Sequence, residues 1–198
     1  MIKLFVLLST FILFLFTLPS DAGPPLNTIE TNVNQVLEIL REKNIKEEIK
    51  KEKLRVIYGQ MFDEVELARR TLARNWGKLS PAQQQEFVRL YRQVLEKAYI
   101  DKILSYTNEK IVFFKESLLS KNQSEVYTKI VTSSKEIPIL YRVILKDNTW
   151  KVYDVVVENV SLVQNYRSQF NAILANHTPD QLLEILQKKV KGQQNLKE

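Results

Sequence analysis

The 198-residue sequence has no cysteine, a single histidine and only four glycines, which are scattered along the chain. Without cysteine the chain can form neither a disulfide nor a thiolate metal site, nor can it carry the lipidated cysteine of a bacterial lipoprotein. The single histidine, His177, lies in a predicted loop, which argues against a Ser-His-Asp triad. No glycine-rich phosphate loop is present. We therefore expect a protein that has no cofactor, no metal and no catalytic activity.

The one long hydrophobic run of the sequence lies at its N-terminus. A positive start, Met1-Ile2-Lys3, is followed by the almost entirely apolar residues 4–18 and then by Pro19-Ser20-Asp21-Ala22. This pattern is typical of a secretory signal peptide cleaved after Ala22. An uncleaved anchor is the alternative, but the run is short of the roughly 20 residues that a membrane span needs. We predict a cleaved signal peptide over 1–22, one exported domain over 23–192 and a polar tail over 193–198.

Basic residues exceed acidic ones by 29 to 23, which gives a net charge of +6. Cleavage after Ala22 removes one lysine and one aspartate, so the exported chain keeps this charge. The excess favours anionic membranes and acidic partner surfaces. It is modest for a dedicated nucleic-acid binder, and export makes such a partner still less expected. We predict no nucleic-acid partner.

The first half of the chain has helical patterning. Apolar residues at helical spacing predict a helix over 27–43 and a second, charge-rich helix that ends near Gly59. Asp63 is placed to cap a third helix, which we expect to extend to Asn75. The segment Ser80-Pro81-Ala82-Gln83 has the residues of a capping box and begins a long helix that reaches about residue 106.

The second half begins with strands. Four β-rich runs follow residue 109, and the short turn segments between them leave no room for helical crossovers. Two helices follow, starting at Ser161 and Thr178. The order of helices, strands and helices predicts an α+β domain in which helices cover one face of a curved, four-stranded antiparallel sheet.

The turn Asp147-Asn148 fixes the predicted register of the last hairpin. Counting outward from it places Tyr141 opposite Asp154, on the face that we expect to be the core face. That face would carry Ile137, Ile139, Tyr141, Val143, Leu145, Trp150, Val152 and Val156. Asp154 is the one charged residue on it. Its carboxylate either accepts hydrogen bonds from backbone groups or Tyr141, or it is a general base with a raised pKa.

Aromatic residues are unusually frequent on the surfaces that should meet. Tyr127, Tyr141 and Trp150 of the sheet face the helical aromatics, which are Tyr91, Tyr99, Tyr166 and Phe170. A plain aromatic core is the usual explanation of such stripes. However, buried tyrosine hydroxyls need partners, so a half-open apolar cavity is an alternative. The residues alone leave both explanations open.

Two segments together resemble the MlaC family, also called the toluene-tolerance auxiliary family. They are MFDEVELARRTLARNWGKLSPAQQQEFVRLYRQVLEKAYIDKILSY and WKVYDVVVENVSLVQNYRSQF. The resemblance covers about residues 26–189. It implies a soluble periplasmic phospholipid carrier with an α+β fold like that of the nuclear-transport-factor-two group. Acyl chains would lie in an apolar cavity between sheet and helices, and the headgroup would face solvent.

The resemblance also implies partners. Such carriers move glycerophospholipid between an outer-membrane lipoprotein–porin complex and an inner-membrane ABC transporter that bears an MCE ring. Together with the aromatic pattern, it predicts a set of lipid-binding residues. These are Tyr91, Leu95, Tyr99, Tyr127, Ile139, Tyr141, Val143, Trp150, Val152, Tyr166, Arg167 and Phe170.

One departure from the family concerns Asn159, where the family often has glycine. Asparagine tolerates a positive φ better than other non-glycine residues, so Asn159 can make the sharp turn from strand to helix. Ser161 would then cap a helix that directs Tyr166 and Phe170 towards the sheet. Arg167 would either meet a phosphate at the cavity mouth or form a surface salt bridge.

Two other functions are compatible with the residues. Related folds house isomerases and dehydratases, for which Asp154 and Tyr141 would be the reacting pair in the cavity. A chaperone-like adaptor that binds protein instead of lipid is the third hypothesis. We predict the phospholipid carrier, with lipid as its ligand.

Overall fold

The computed structural model describes residues 24–106 and 109–192, so the predicted signal peptide and the predicted polar tail lie outside the described residues. Within these ranges the chain forms six α-helices, one 3-10 helix and one antiparallel sheet. The helices are α1 (Pro25–Arg41), α2 (Glu47–Met61), α3 (Glu64–Leu72), a 3-10 helix (Ala73–Lys78), α4 (Pro81–Leu104), α5 (Leu162–Asn176) and α6 (Pro179–Val190). The strands are β1 (Lys110–Ser120), β2 (Gln123–Val131), β3 (Glu136–Lys146), β4 (Thr149–Val157) and β5 (Val160–Ser161).

The predicted helix starts are confirmed by their caps. Ser80 and Thr178 form complete capping boxes, and the side chains of Asp63 and Ser161 accept backbone hydrogen bonds in the first turns of α3 and α5. These bonds satisfy amides that a helix start otherwise leaves unpaired. The end of α3 differs from the prediction. Ala73 has a φ of 48°, which ends the α-helix at Leu72 instead of Asn75.

The sheet contains the four predicted strands and a short fifth one, in the order β1-β2-β3-β4-β5. Between β4 and β5 the chain turns through Glu158 and Asn159, which have φ values of 49° and 67°. Two successive positive φ angles allow a tight hairpin turn that follows the twist of the strands. The predicted role of Asn159 is thus confirmed. The prediction missed β5 because its two residues carry no alternating pattern.

The predicted register of the last hairpin holds only near its turn. Leu145 pairs with Trp150 and Val143 with Val152, as expected. A register shift at Tyr153 then places Asp154 opposite Arg142. The predicted pairing of Tyr141 with Asp154 is therefore wrong, and so is the predicted face of Asp154. A bulge adds one residue to its strand and reverses every later side chain.

We call the sheet face that packs on α1 the inner face and the opposite face the outer face. Val126, Val143, Trp150 and Val152 of the inner face pack with Ile29, Val33 and Leu37 of α1 and with Met61. We call this group the sheet cluster. Arg142 and Asp154 lie on the outer face. We predicted Val156 of β4 on the inner face. Because of the bulge, Val155 lies on that face instead and packs in the sheet cluster.

A second group, the helical cluster, is built from α3, α4, α5 and α6. At its centre are the rings of Phe87, Tyr91, Tyr166 and Phe170, and five of the six pairs among them have centroids 5.2–5.7 Å apart. The prediction that α5 directs Tyr166 and Phe170 towards the sheet is wrong, because both pack against α4. Phe62, between α2 and α3, packs on both clusters.

The segment around Phe62 joins the helices to the sheet. The next residue, Asp63, donates its backbone N–H to the carbonyl of Val152, and its carboxylate accepts from Lys146 Nζ at 2.9 Å. These bonds hold the start of α3 against β4. In the part of the chain that the structure describes, no helix is both long and apolar enough to span a bilayer.

Candidate functional site

Most of the predicted lipid-binding residues lie in the two clusters that meet at Phe62. The helical cluster contains Tyr91, Leu95, Tyr99, Tyr166 and Phe170. The sheet cluster contains Tyr141, Val143, Trp150 and Val152. Phe62 packs on both clusters, so the helical group and the sheet group meet there, and we call this contact the boundary. A ligand that enters at this boundary would contact apolar side chains of both clusters.

The helical side of the boundary is aromatic and keeps its hydroxyls uncharged. The ring centroid of Tyr91 is 5.2 Å from that of Tyr166 and 5.4 Å from that of Phe170, both edge to face. Thr71 is within 3.4 Å of the Tyr91 hydroxyl. Burial raises the pKa of Tyr91 well above its ordinary value and that of Tyr166 to about 12. Both phenols are therefore neutral at physiological pH, as an apolar surface requires.

The sheet side combines β-branched side chains with Phe113, Tyr141, Leu145 and Trp150. Val143 and Val152 are fully buried, and Trp150 is 6% exposed. Burial raises the pKa of Tyr141 to about 12, so its hydroxyl is also neutral. The helix α1 covers this surface, and its backbone N–H at Leu26 donates to Glu116 Oε2 of β1 at 2.8 Å.

The structure places Ile139 and Tyr127 away from the boundary. Ile139 is half-buried on β3 and belongs to neither cluster. Tyr127 lies on the outer face, where its hydroxyl donates to Glu125 at 2.7 Å and Lys115 Nζ lies 4.9 Å from its ring centre. The predicted position of Tyr127 on the core face beside Tyr141 is therefore wrong.

Arg167 lies on the outer surface of the molecule, where α5 meets α3. Its Nε and Nη2 donate to the backbone carbonyl of Arg70 at 3.1 and 2.6 Å. None of the ion pairs among the described residues includes Arg167, so of the two alternatives for this residue the surface salt bridge is not formed there. Instead Arg167 lines a surface cavity of about 180 Å³. The other residues around that cavity are Arg70, Arg142, Tyr153, Asp154, Val163 and Gln164.

Asp154 is a buried carboxylate whose hydrogen bonds are satisfied. It accepts from the Ser161 hydroxyl at 2.7 Å, from the backbone N–H of Val163 at 3.0 Å and from Arg142 Nη1 at 3.0 Å. It thus ties β4 to the start of α5. Asp154 and Tyr141 lie on opposite faces of the sheet, so the reacting pair of the cavity-enzyme hypothesis is not formed.

Arg70, Arg142 and Tyr153 were missed as site residues. The guanidinium carbon of Arg70 lies 3.9 Å from the ring centre of Tyr153, and the two residues are distant in sequence. Arg142 reaches Asp154 only because of the bulge, which no glycine marks in the sequence. The pattern that could have suggested the site is the presence of Arg142 and Asp154 in the middle of their strands, each directly between a tyrosine and a valine.

The structure also shows what the described residues lack. Residues 24–106 and 109–192 contain no group of three or more histidine, cysteine or acidic side chains that could hold a metal ion.

Comparison with known proteins identifies the family. The family model described as MlaC protein matches residues 30–188. The chain belongs to the MlaC family. Among curated MlaC proteins, the intermembrane phospholipid transport system binding protein MlaC of Haemophilus influenzae is 27% identical over 113 residues. That match covers 54% of this chain and 53% of the relative, so the chain spans about half the length of the curated relative it matches.

A solved structure has the same fold as this chain. It is the phospholipid-binding protein from Ralstonia solanacearum, determined in complex with a phospholipid. The two structures superpose with a TM-score of 0.79 over 86% of this chain and 99% of the other, at 18% sequence identity. The likeness confirms the predicted α+β architecture with its antiparallel sheet and its helices.

Proposed function

We propose that this protein is a phospholipid-binding carrier that moves glycerophospholipids between the outer and inner membranes. The observation that carries the proposal is the MlaC family match, which spans residues 30–188 and so nearly the whole described domain. The Haemophilus influenzae relative is a binding protein of an intermembrane phospholipid transport system, and the Ralstonia solanacearum structure holds a phospholipid. Both support lipid as the ligand.

The acyl chains would lie at the boundary between the sheet cluster and the helical cluster. Both clusters are packed in the structure, so a lipid must separate them, and Phe62, which packs on both, would move first. Each methylene that leaves water stabilises the complex by about 0.8 kcal/mol before the cost of opening the clusters. Tyr91, Tyr166 and Phe170 would then line one side of the chains, with Val143 and Trp150 on the other.

The carrier would work in the periplasm after removal of residues 1–22, as a single domain over 23–192. Its partners would be the MCE-type ABC transporter complex of the inner membrane and the lipoprotein–porin complex of the outer membrane. The reaction involves no covalent chemistry, so the carrier would need neither a cofactor nor catalytic residues, and nucleic acid would not be a partner.

Native mass spectrometry of the signal-free protein tests the proposal. The protein is purified without detergent from bacterial cells. We expect a mass increment of one phospholipid that disappears on denaturation and can be identified by extraction. A lipid-free mass that persists after incubation with liposomes would contradict the carrier. A copurified polypeptide in its place would favour the adaptor hypothesis.

The two tryptophans allow a test of where the acyl chains lie. Trp150 belongs to the sheet cluster, whereas Trp76 lies in the 3-10 helix and packs, partly exposed, on the helical cluster. In a Trp76→Phe variant, phospholipid with brominated acyl chains should quench the fluorescence of Trp150. In the matched Trp150→Phe variant, Trp76 should be quenched much less. Equal quenching of the two variants, with lipid bound, would show that the chains do not lie against the inner face.

A further inference from the structure

Three arginine side chains from different elements surround the outer-face cavity of about 180 Å³. Arg70 comes from α3, Arg142 from β3 and Arg167 from α5. We call this the arginine pocket. Its floor includes the ring of Tyr153, which is 5% exposed and carries the guanidinium of Arg70 at 3.9 Å. The sheet residues of the pocket lie on the outer face, opposite α1. Val163 of α5 both lines the pocket and packs in the helical cluster, which forms one side of the proposed acyl-chain boundary.

The three guanidinium groups differ in how far their charge is neutralised. Arg142 pairs with both Glu125 and Asp154, at 3.1 and 3.0 Å. Arg70 uses its Nε for Glu66, which it shares with Arg69. Arg167 contacts only a carbonyl, and in the described part of the chain no carboxylate pairs with it. The pocket therefore keeps an excess of positive charge.

Asp154, the acidic residue in the pocket, forms its ion pair with Arg142 and leaves the charge of Arg167 unpaired. Both oxygens of Asp154 are already occupied, one by the backbone N–H of Val163 and the other by Ser161 and Arg142. The first amides of α5 are likewise occupied, because Ser161 accepts from Gln164 N–H. The side-chain donors that line the pocket are those of the arginines, Gln164 and Tyr153, and a ligand would be held by these.

The position of Arg167 is fixed before any ligand arrives. Two of its nitrogens donate to one carbonyl, which orients the guanidinium plane and leaves Nη1 with both of its hydrogens free of the described residues. A guanidinium group whose plane is already oriented loses less side-chain entropy when it binds a ligand. A cavity of about 180 Å³ is below the roughly 300–1,000 Å³ of sites for whole small-molecule ligands. It fits a small group with several acceptor oxygens.

We infer that the arginine pocket is a binding site for a phosphate group, with Arg167 and Arg70 as its principal donors. Phosphate suits the site better than a carboxylate because its oxygens can accept from several guanidinium groups at once. The phosphate could belong to a glycerophospholipid headgroup or could be inorganic. The headgroup source rests on the proposed carrier function, but binding of the phosphate group itself does not.

The test is an NMR titration of the isotope-labelled, lipid-free protein at constant ionic strength. The Nε–H signal of Arg167 and the side-chain amide signal of Gln164 report on the pocket. We expect both to move saturably with inorganic phosphate or with glycerophosphoglycerol, a deacylated phosphodiester headgroup. Saturation by the diester would assign the headgroup source, whereas saturation by inorganic phosphate alone would assign the free anion. Shifts no larger than those with sodium chloride or sodium acetate would overturn the inference.

Two variants make the test specific. Arg167→Gln should weaken phosphate binding by about tenfold or more, because it removes a charged donor. Arg74→Gln removes the same charge from an exposed position of the 3-10 helix and should leave the affinity unchanged. Arg167→Lys, which keeps the positive charge but lacks the planar guanidinium group, should bind phosphate with intermediate affinity. Equal weakening by the Arg167 and Arg74 variants would show only a general charge effect and would contradict a built site.

A lipid measurement separates this inference from the carrier function. Native mass spectrometry of the Arg167→Gln protein should still show a bound phospholipid if acyl chains supply most of the affinity. Lipid binding without phosphate shifts in the wild type would refute the pocket and leave the carrier intact. Phosphate shifts without lipid binding would refute the carrier and leave the pocket.

Discussion

At the scale of single residues, Asp154 decides how β4 and α5 are joined. Its carboxylate is 2% exposed and accepts from Arg142, Ser161 and Val163. We expect Asp154→Asn to destabilise the protein by on the order of 3 kcal/mol, because Arg142 loses a buried partner and the amide cannot accept all three bonds. Urea unfolding followed by circular dichroism measures the change.

An exposed ion pair provides the control for the Asp154 variant. Lys129 and Glu136 lie 2.9 Å apart across β2 and β3, and the Glu136 side chain is 57% exposed. Because solvent screens such a pair, Glu136→Gln should cost about 0–1 kcal/mol. A loss for Asp154→Asn no larger than that of the control would show that the network does not stabilise the fold.

Glu66 makes the stability depend on pH. Hydrogen bonds from Arg69 and then from Arg70 hold the pKa of Glu66 below its ordinary value. A carboxylate with a lowered pKa in the folded state contributes stability above its unfolded pKa, and this contribution is lost as the pH falls through the folded pKa. The loss therefore begins below about pH 4.5. In Glu66→Gln the free energy of unfolding should fall less between pH 7 and pH 3 than in the wild type. An equal fall would rule out this role.

At the scale of elements, the turn between β4 and β5 places two non-glycine residues at positive φ. Glu158 is the less suited of the two, because glutamate tolerates a positive φ less well than asparagine and its carboxylate pairs only with the exposed Lys135, at 3.4 Å. The left-handed region costs about 1–2 kcal/mol per residue other than glycine. We expect Glu158→Asn with Asn159→Gly, the preferred pair for such turns, to raise the free energy of unfolding by about 1 kcal/mol. Glu158→Gln, which changes only the charge, should give no gain.

The elements also show what the sequence can and cannot predict. Helix starts were correct because a cap is local: Ser80 and Thr178 need only the glutamine three residues later. The end of α3 was predicted too late because alanine is a residue type that rarely adopts a positive φ, so Ala73 gave no sign of a helix end. The last hairpin was correct up to Val152, where the bulge at Tyr153 reversed the faces. No glycine marks the bulge, and the contacts beside it, Arg70 on Tyr153 and Ser161 on Asp154, come from outside the hairpin.

The same limit applies to the candidate site. Periodicity correctly marked Tyr91, Tyr166 and Phe170 as buried, because one stripe per helix must face the core. It could not say which surface each stripe meets, and the structure shows helix against helix where sheet was expected. Arg167 was singled out, yet its neighbours Arg70 and Arg142 come from elements that only the fold brings together. Contacts between distant parts of the chain are not recorded in any local pattern.

At the scale of the whole molecule, the proposed carrier divides its tasks between two sides of the sheet. The inner face and α1 form an apolar layer, whereas the outer face carries charged networks and the arginine pocket. Opening the boundary at Phe62 exposes apolar surface, which is costly in water but not at a bilayer. Lipid exchange should therefore occur at a membrane or against a partner, and the surface charge of the protein should influence the encounter.

The net charge of +6 leads to a prediction about lipid uptake. The lipid-free protein should take up lipid from vesicles containing phosphatidylglycerol faster than from purely zwitterionic ones, because long-range attraction raises the encounter rate. The advantage should diminish with added salt, since the Debye length falls from about 10 Å at 0.1 M to about 3 Å at 1 M. Stopped-flow measurement of a self-quenched fluorescent phospholipid leaving the vesicles gives both rates.

Uptake from zwitterionic vesicles is the internal control for this prediction, because charge attraction contributes little to it and salt should hardly change it. If opening of the two clusters limits uptake, the rates from both vesicle types should converge at high salt on one value set by the protein. That value should rise in Phe62→Leu, which shortens the side chain that packs on both clusters. Uptake rates that change neither with salt nor with vesicle charge would show that electrostatic attraction between protein and membrane does not influence exchange.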